Sequence, residues 1–254
     1  MLLSDRQTDQ KYDETEWQLR LDLAACYRLM ALFGWDDLIY NHITCRLTGE
    51  CSHFLINPFG MTFDEICASS LVKIDLDGNK VEHSNWPVSP SGFVIHSAIH
   101  QVRKDIRCVL HAHTTPTVVV SILEYGLLLL SQYSAMLFQS IAYHDYEGIV
   151  VNKGERQRLQ QDMGQNNILF LRNHGVLVAG ATVAEAFQNF YFLQRVCEIQ
   201  IQAMSCDSNR ISIKPEVEIA VVDQYREASL GEGAQLIWPG LLRRLDRIDR
   251  SWRE

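Results

Sequence analysis

The sequence predicts an α/β fold built as one unit. Strand-like and helix-like segments interleave along the chain, no Pro- or Ser-rich linker divides them, and 254 residues suffice for one large core. Residues 1–13 are polar and read as a loose N-terminal arm, leaving 14–254 as the domain. From Glu14 to Phe33, the apolar residues Trp17, Leu21, Ala24, Ala25, Leu29 and Leu32 recur at helical spacing, and Gly34 can end the helix. Strand-like pieces follow at Asn41–Leu47, Phe54–Ile56 and Leu71–Asp75. They are punctuated by turn signals at Asn57-Pro58, Phe59-Gly60 and Asp77-Gly78-Asn79.

Helical periodicity returns at Phe93–Val102, opened by Ser91-Gly92. Cys108-Val109-Leu110 is an apolar strand run, and Thr115-Pro116 reads as the next helix start, with Thr115 as N-cap and Pro116 at the first helical position. Glu155–Met163 has the charge content of an exposed helix that Gly164 can stop. Ile168–Val178 reads as two strands broken at Asn173-His174-Gly175. Thr182-Val-Ala-Glu185 is a capping box that launches a long helix to about Met204, and Leu241–Arg250 is a short amphipathic helix of mixed charge.

Composition narrows the function classes. With 23 Lys and Arg against 31 Asp and Glu, the net charge is -8, which argues against nucleic acid as a partner because phosphate binding needs clustered cations. No apolar run reaches the length of a membrane span, and the first residues turn polar at once, so neither a membrane anchor nor a signal peptide is expected. Seven cysteines with no Cys-x-x-Cys pair fit a reducing, cytoplasmic setting better than a disulfide framework.

His111 and His113 are the chemically informative pair. Residues i and i+2 of a strand project from one face, so both imidazoles leave the same strand side by side. The spacing suits either a hydrogen-bonded, half-buried pair or a grip on one ion. His174, at the break between two strands, is placed to add a third nitrogen, and three nitrogens leave the open position of a catalytic zinc site.

Six blocks together resemble the class II aldolase / adducin head domain family. They are Ile56–Gly60, Ala68–Asp75, Ser91–His100, His111-Ala112-His113, Ala142–Gly148 and Leu171–Gly175, in an order and spacing that match over about 16–206. The Gly-Phe-x-x-His-Ser-Ala-Ile and Tyr-His-Asp-Tyr blocks resemble the adducin-like branch. The resemblance implies a three-layer α/β/α fold around a mainly antiparallel sheet. It implies a tetramer with active sites between subunits, and a divalent ion, usually zinc, on the histidines that align with His111, His113 and His174. In family enzymes the metal polarises a carbonyl or hydroxyl and stabilises an enediolate as a carbon–carbon or adjacent C–H bond breaks. Tyr146 aligns with the family's proton-donating Tyr, and Asn41, Gly60 and Ser91 with its substrate-binding positions.

Departures from the enzyme pattern are equally specific. The family's catalytic Glu is replaced by Gly92, and the hydroxyl residues expected at two phosphate-binding positions are Phe59 and Pro90. His144, Asp145 or Glu147 could supply a substitute base. His96 and His100 share a helix face and read as a rival metal pair, a pocket wall, helix-packing residues or ordinary surface residues; Arg172 could orient an anion or form a structural salt bridge. Two functions follow. One is a metal-dependent lyase (aldolase, decarboxylase or dehydratase type) acting on a small hydroxy- or oxo-carbonyl or sugar-derived compound. The other is a non-catalytic adducin-like assembly domain. The sequence carries neither the long tail nor the terminal lysine cluster of adducins, which favours the enzyme.

Overall fold

Residues 11–49, 53–148, 154–211, 213–229 and 232–254 are described by the computed structural model of the chain. In chain order the elements are α1 (Glu14–Leu32), β1 (His42–Arg46), β2 (Phe54–Ile56), β3 (Val72–Ile74), α2 (Pro90–Val102), β4 (Cys108–Ala112) and α3 (Thr115–Ile122). They continue with α4 (Gln132–Leu137), β5 (Ile141–His144), α5 (Glu155–Met163), β6 (Ile168–Leu171), β7 (Gly175–Gly180), α6 (Val183–Ser205), α7 (Pro215–Ser229) and α8 (Glu232–Ile248).

The seven strands form one sheet in the order β3-β2-β1-β4-β7-β6-β5. Every pairing is antiparallel except β5 with β6. Alternation along β4 builds the layers. Cys108, Leu110 and Ala112 join Leu23 and Leu29 of α1 and Phe187 and Leu193 of α6 in the main core, while Val109 turns to Ile95, Ile99, Leu159 and Met163 of α2 and α5. Helices therefore cover both faces, giving three layers. Burying each of these large side chains contributes about 1.5–3 kcal/mol, and both faces of the central strands are sealed against water. One short face of β1 is the exception: His42 and Thr44 look toward α2 among histidines rather than hydrocarbon.

Several local details differ from the sequence reading. The N-cap of α3 is Thr114, not Thr115, and its hydroxyl bonds Gln194 Oε1 at 2.6 Å instead of capping the helix. Helix α5 is only partly exposed, because Glu155, Leu159 and Met163 turn inward. At α6, Thr182 Oγ1 accepts from Glu185 N at 3.1 Å, but Glu185 reaches Ala181 N rather than Thr182 N. The terminal amphipathic segment belongs to a longer helix with Pro239 inside it. That helix docks through Trp238, whose indole donates to Asp22 at 2.8 Å.

Of the expected N-terminal arm, residues 1–10 lie outside the described residues, whereas Tyr12 stacks on Trp17 and Asp13 caps α1. The six described cysteines are free, four of them buried; Cys51 lies outside the described residues. No helix among the described residues is long and apolar enough to cross a membrane.

Candidate metal centre

Three imidazoles converge at the end of β4. His111 sits inside the strand, His113 is one residue past it, and His174 lies in the β6–β7 turn. His113 Nε2 is 2.7 Å from His111 Nε2 and 3.0 Å from His174 Nε2. The turn that delivers His174 depends on two backbone conditions. Asn173 takes a left-handed φ of 59°, which Asn tolerates better than most residues. Gly175 then passes so close to β4 that a Cβ there would lie 2.5 Å from the Ala112 carbonyl oxygen and 3.0 Å from the His113 ring.

The other nitrogens decide the chemistry. His111 Nδ1 donates to the Val176 carbonyl at 3.0 Å, and His113 Nδ1 donates to Asp37 Oδ2 at 3.0 Å. With Nδ1 protonated, each neutral ring turns an Nε2 lone pair toward the centre. Burial, reinforced by His113, His42 and His174, holds His111 well below the ordinary histidine value. Burial and His113 bring His174 down to about 4. The Nε2 lone pairs of His111 and His113 thus face each other at 2.7 Å, with His174 Nε2 beside them at 3.0 Å from His113. A divalent cation resolves that repulsion; the donor set and its carbonyl and carboxylate supports fit one. These three residues form the one His/Cys/Asp/Glu cluster among the described residues with ligand geometry.

The loop before β1 supplies the support. Asp37 orients His113, and Asn41 accepts from His113 N at 3.2 Å while its amide donates to Trp35 O at 3.1 Å. Asn41 therefore touches a triad backbone and spends both ends of its amide on the scaffold. Gly60 lies on the exposed turn after β2 with φ of 115°, beside Trp86. Ser91 lies in the first turn of α2. Tyr146 follows edge strand β5, three strands from β4, and is 56 % exposed.

Behind the triad lies a second histidine group. His42 Nδ1 is 2.7 Å from His96 Nε2, His96 Nδ1 is 2.6 Å from Thr44 Oγ1, and the same hydroxyl is 2.8 Å from His100 Nε2. His96 and His100 are thus neither surface residues nor a metal pair, since one threonine hydroxyl bridges them and both are sealed from solvent. Burial comes first among the causes that push all three histidines well below their ordinary value. Sequence reasoning missed His42, Thr44 and Asp37. The signal for the first two was present: His42-Ile-Thr44-Cys-Arg46 alternates polar and apolar residues at strand period.

Arg172, His144 and Glu147 already hold other partners. Arg172 donates to the Leu123 and Glu124 carbonyls and lies over Tyr143, and it forms no ion pair among the described residues. His144 Nδ1 bonds Asp162 at 2.7 Å, and Glu147 is paired with Arg158. Asp145 is exposed.

A family model described as "Class II Aldolase and Adducin N-terminal domain" matches residues 21–201, a span that includes the whole triad and the loop before β1 that supports it. The chain belongs to the class II aldolase and adducin family. Within the family it is 48 % identical over 237 residues to the "Putative aldolase class 2 protein" of Caulobacter vibrioides, covering 93 % of this chain and 92 % of that one. It is 45 % identical over 197 residues to alpha-adducin of Rattus norvegicus, covering 76 % of this chain and 27 % of the adducin. The solved aldolase II superfamily protein from Pseudomonas syringae superposes with a TM-score of 0.92 at 42 % identity, over 97 % of this chain and 99 % of that chain. The L-fuculose 1-phosphate aldolase of Glaciozyma antarctica PI12 superposes with a TM-score of 0.82 at 25 % identity, over 95 % and 93 %. The three-layer fold expected from the sequence is that of these class II aldolase structures.

Proposed function

We propose that this class II aldolase family member is a divalent-metal-dependent lyase, with zinc on His111, His113 and His174, acting on a small hydroxy- or oxo-carbonyl or sugar-derived compound. The observation that carries the reading is the convergence of three imidazoles whose ligand atoms all lie within 4.8 Å of one another. When bound, the ion supplies a Lewis acid that polarises a substrate oxygen and stabilises negative charge as a neighbouring bond breaks. The chain supplies the rest. The Val176 carbonyl and Asp37 fix the tautomers of His111 and His113, and Asn41 fixes the backbone of His113.

Support for a lyase also comes from the named aldolases among the relatives. Asn41, Gly60 and Ser91 are the proposed substrate-side positions, with Asn41 acting through its hold on His113. Tyr146, exposed and following a strand three places from β4 in the sheet, is the proposed proton donor to a neighbouring subunit's site, in a cytoplasmic homotetramer. Gly92, with no group to take a proton, and the missing hydroxyls at Phe59 and Pro90 favour a substrate other than an ordinary sugar phosphate.

Gly92 together with the likeness to alpha-adducin also favours a second reading, a non-catalytic assembly domain that keeps the histidines. Metal analysis followed by a panel of hydroxy- and oxo-carbonyl compounds separates the two. Retro-aldol, decarboxylation or dehydration products that vanish with chelator are expected of the lyase. A metal-loaded protein inert across the panel sinks the lyase reading, and a chain that binds no stoichiometric ion sinks the metal site itself. Light scattering checks the tetramer, which a monomer would refute.

A further inference from the structure

We propose that His42 occupies the space a side chain at position 92 would need and presents a fixed Nε2–H donor to an anionic oxygen of the ligand held at the triad. His96, Thr44 and His100 act as positioning residues. The proposal rests on the reading of the triad as a metal site and adds to it the group that replaces the missing carboxylate.

Sterics come first. A Cβ built on Gly92 would lie 2.5 Å from His42 Cδ2 and 2.6 Å from its Nε2, distances that real Cβ contacts essentially never show. The ring of His42 and any side chain at 92 are therefore mutually exclusive, and glycine is required here by contact rather than by φ. The ring is also beside the triad. His42 pairs in register with His111 across β1 and β4, and their ring centroids are 4.9 Å apart. Its Nδ1 is taken by His96, and its Nε2 bonds no protein group among the described residues.

Hydrogen-bond accounting then fixes the direction of the chain. With all three bonds kept, the neutral groups can be wired in three ways: the end proton sits on His42 Nε2, on His100 Nδ1, or, if both His96 and His100 donate to Thr44, on neither, and that last wiring orphans the buried Thr44 hydroxyl proton. His100 Nδ1 and Arg46 Nε are both buried and without a partner. The Arg46 guanidinium bonds the His100 carbonyl and repels positive charge on that ring. A proton on His100 Nδ1 would place a second orphaned donor beside a cation, and an orphaned buried donor is costly. The first wiring turns a lone pair toward Arg46. It runs from His100 Nε2–H to Thr44 Oγ1, from the Thr44 hydroxyl to His96 Nδ1, and from His96 Nε2–H to His42 Nδ1. His42 is left with a proton on Nε2. A carboxylate at 92 would accept a proton from the ligand; this imidazole donates a hydrogen bond instead. The site thereby favours ligands that already carry an anionic oxygen, such as carboxylates or hydroxamates.

Nitrogen-15 NMR of histidine-labelled, metal-free protein reads the tautomers directly. His42, His96 and His100 are expected to be protonated on Nε2, and His111 and His113 on Nδ1. His42 protonated on Nδ1, or on both nitrogens, overturns the proposal. Thr44→Val should scramble the His42 tautomer and leave the triad unchanged; an unaltered His42 signal would show that the chain does not position it. With zinc bound, oxalate affinity by calorimetry should fall about 10- to 100-fold in His42→Ala, and His42→Gln, which keeps an N–H donor, should recover part of it. Equal oxalate affinity in a zinc-loaded His42→Ala protein overturns the donor role. Failure of the parent to bind zinc overturns the metal reading alone, because the tautomers are measured without metal.

Discussion

Two groups of three histidines meet where His42 of β1 pairs with His111 of β4, and their proton positions run in opposite senses. In the triad, the Val176 carbonyl and the Asp37 carboxylate take the Nδ1 protons of His111 and His113, so their lone pairs meet at the centre. In the chain of His42, His96 and His100, a threonine hydroxyl and ring-to-ring bonds use the nitrogens in series, and our accounting leaves a proton at the end nearest the triad. His42 and His111 are register partners in similarly buried surroundings, yet one is read as a donor and the other as a ligand. An imidazole's role here is set by what its second nitrogen touches.

Acidification should give the largest effect and strike both groups. His42, His96, His100 and His111 have folded pKa values well below the ordinary 6.5, and His174 is brought down to about 4. The unfolded chain therefore binds more protons below pH 6.5. Stability is fully present above that pH and is lost as pH falls through the folded values, at about 1.4 kcal/mol per pH unit for each site that must stay neutral. Melting of metal-free protein across this window checks the sign; a melting temperature that rises on acidification contradicts it.

Zinc should separate the groups. At 100 times its dissociation constant, an ion bound only by the folded state adds about 2.7 kcal/mol. That gain, read by urea unfolding, should vanish in a His111→Ala, His113→Ala double variant and persist in His42→Gln. Asp37→Ala should weaken zinc by about 10- to 100-fold in a chelator competition, because only the triad depends on that carboxylate. Thr44→Val should leave zinc affinity unchanged yet cost about 1–3 kcal/mol, since it orphans buried ring nitrogens. A loss of zinc in Thr44→Val would merge the two groups into one. Gly92→Ala should cost about 1–3 kcal/mol by overpacking, and much less when His42 is also alanine. Additive costs would show that the two positions do not share space.

Much of this was legible in the residues themselves. The helix at Glu155–Met163 was readable because Gly164 punctuates it, and the strand at His111 because an apolar run precedes it. Helix α7 was not read from the sequence; of its apolar residues Val222 is buried, whereas Val217 and Ile219 are exposed. Strand β5 was missed as a four-residue edge strand without alternation. At the site, His111, His113 and His174 carried a spacing signal and a family pattern. Asp37 carried neither, and the alternation around His42 marked a strand without its role, because these roles depend on a loop closing over β4 and on a ring entering the space left by Gly92. Sequence shows that position 92 lacks a carboxylate; the fold shows what fills the gap.

Cobalt titration of metal-free protein tests the central claim most directly, because Co2+ reports its coordination in the visible spectrum. A saturable band at about one ion per chain, with the intensity of a low-coordinate nitrogen site and absent from the His111→Ala, His113→Ala variant, is the expected result. No saturable band in the parent, or an identical titration in the double variant, would contradict the metal centre.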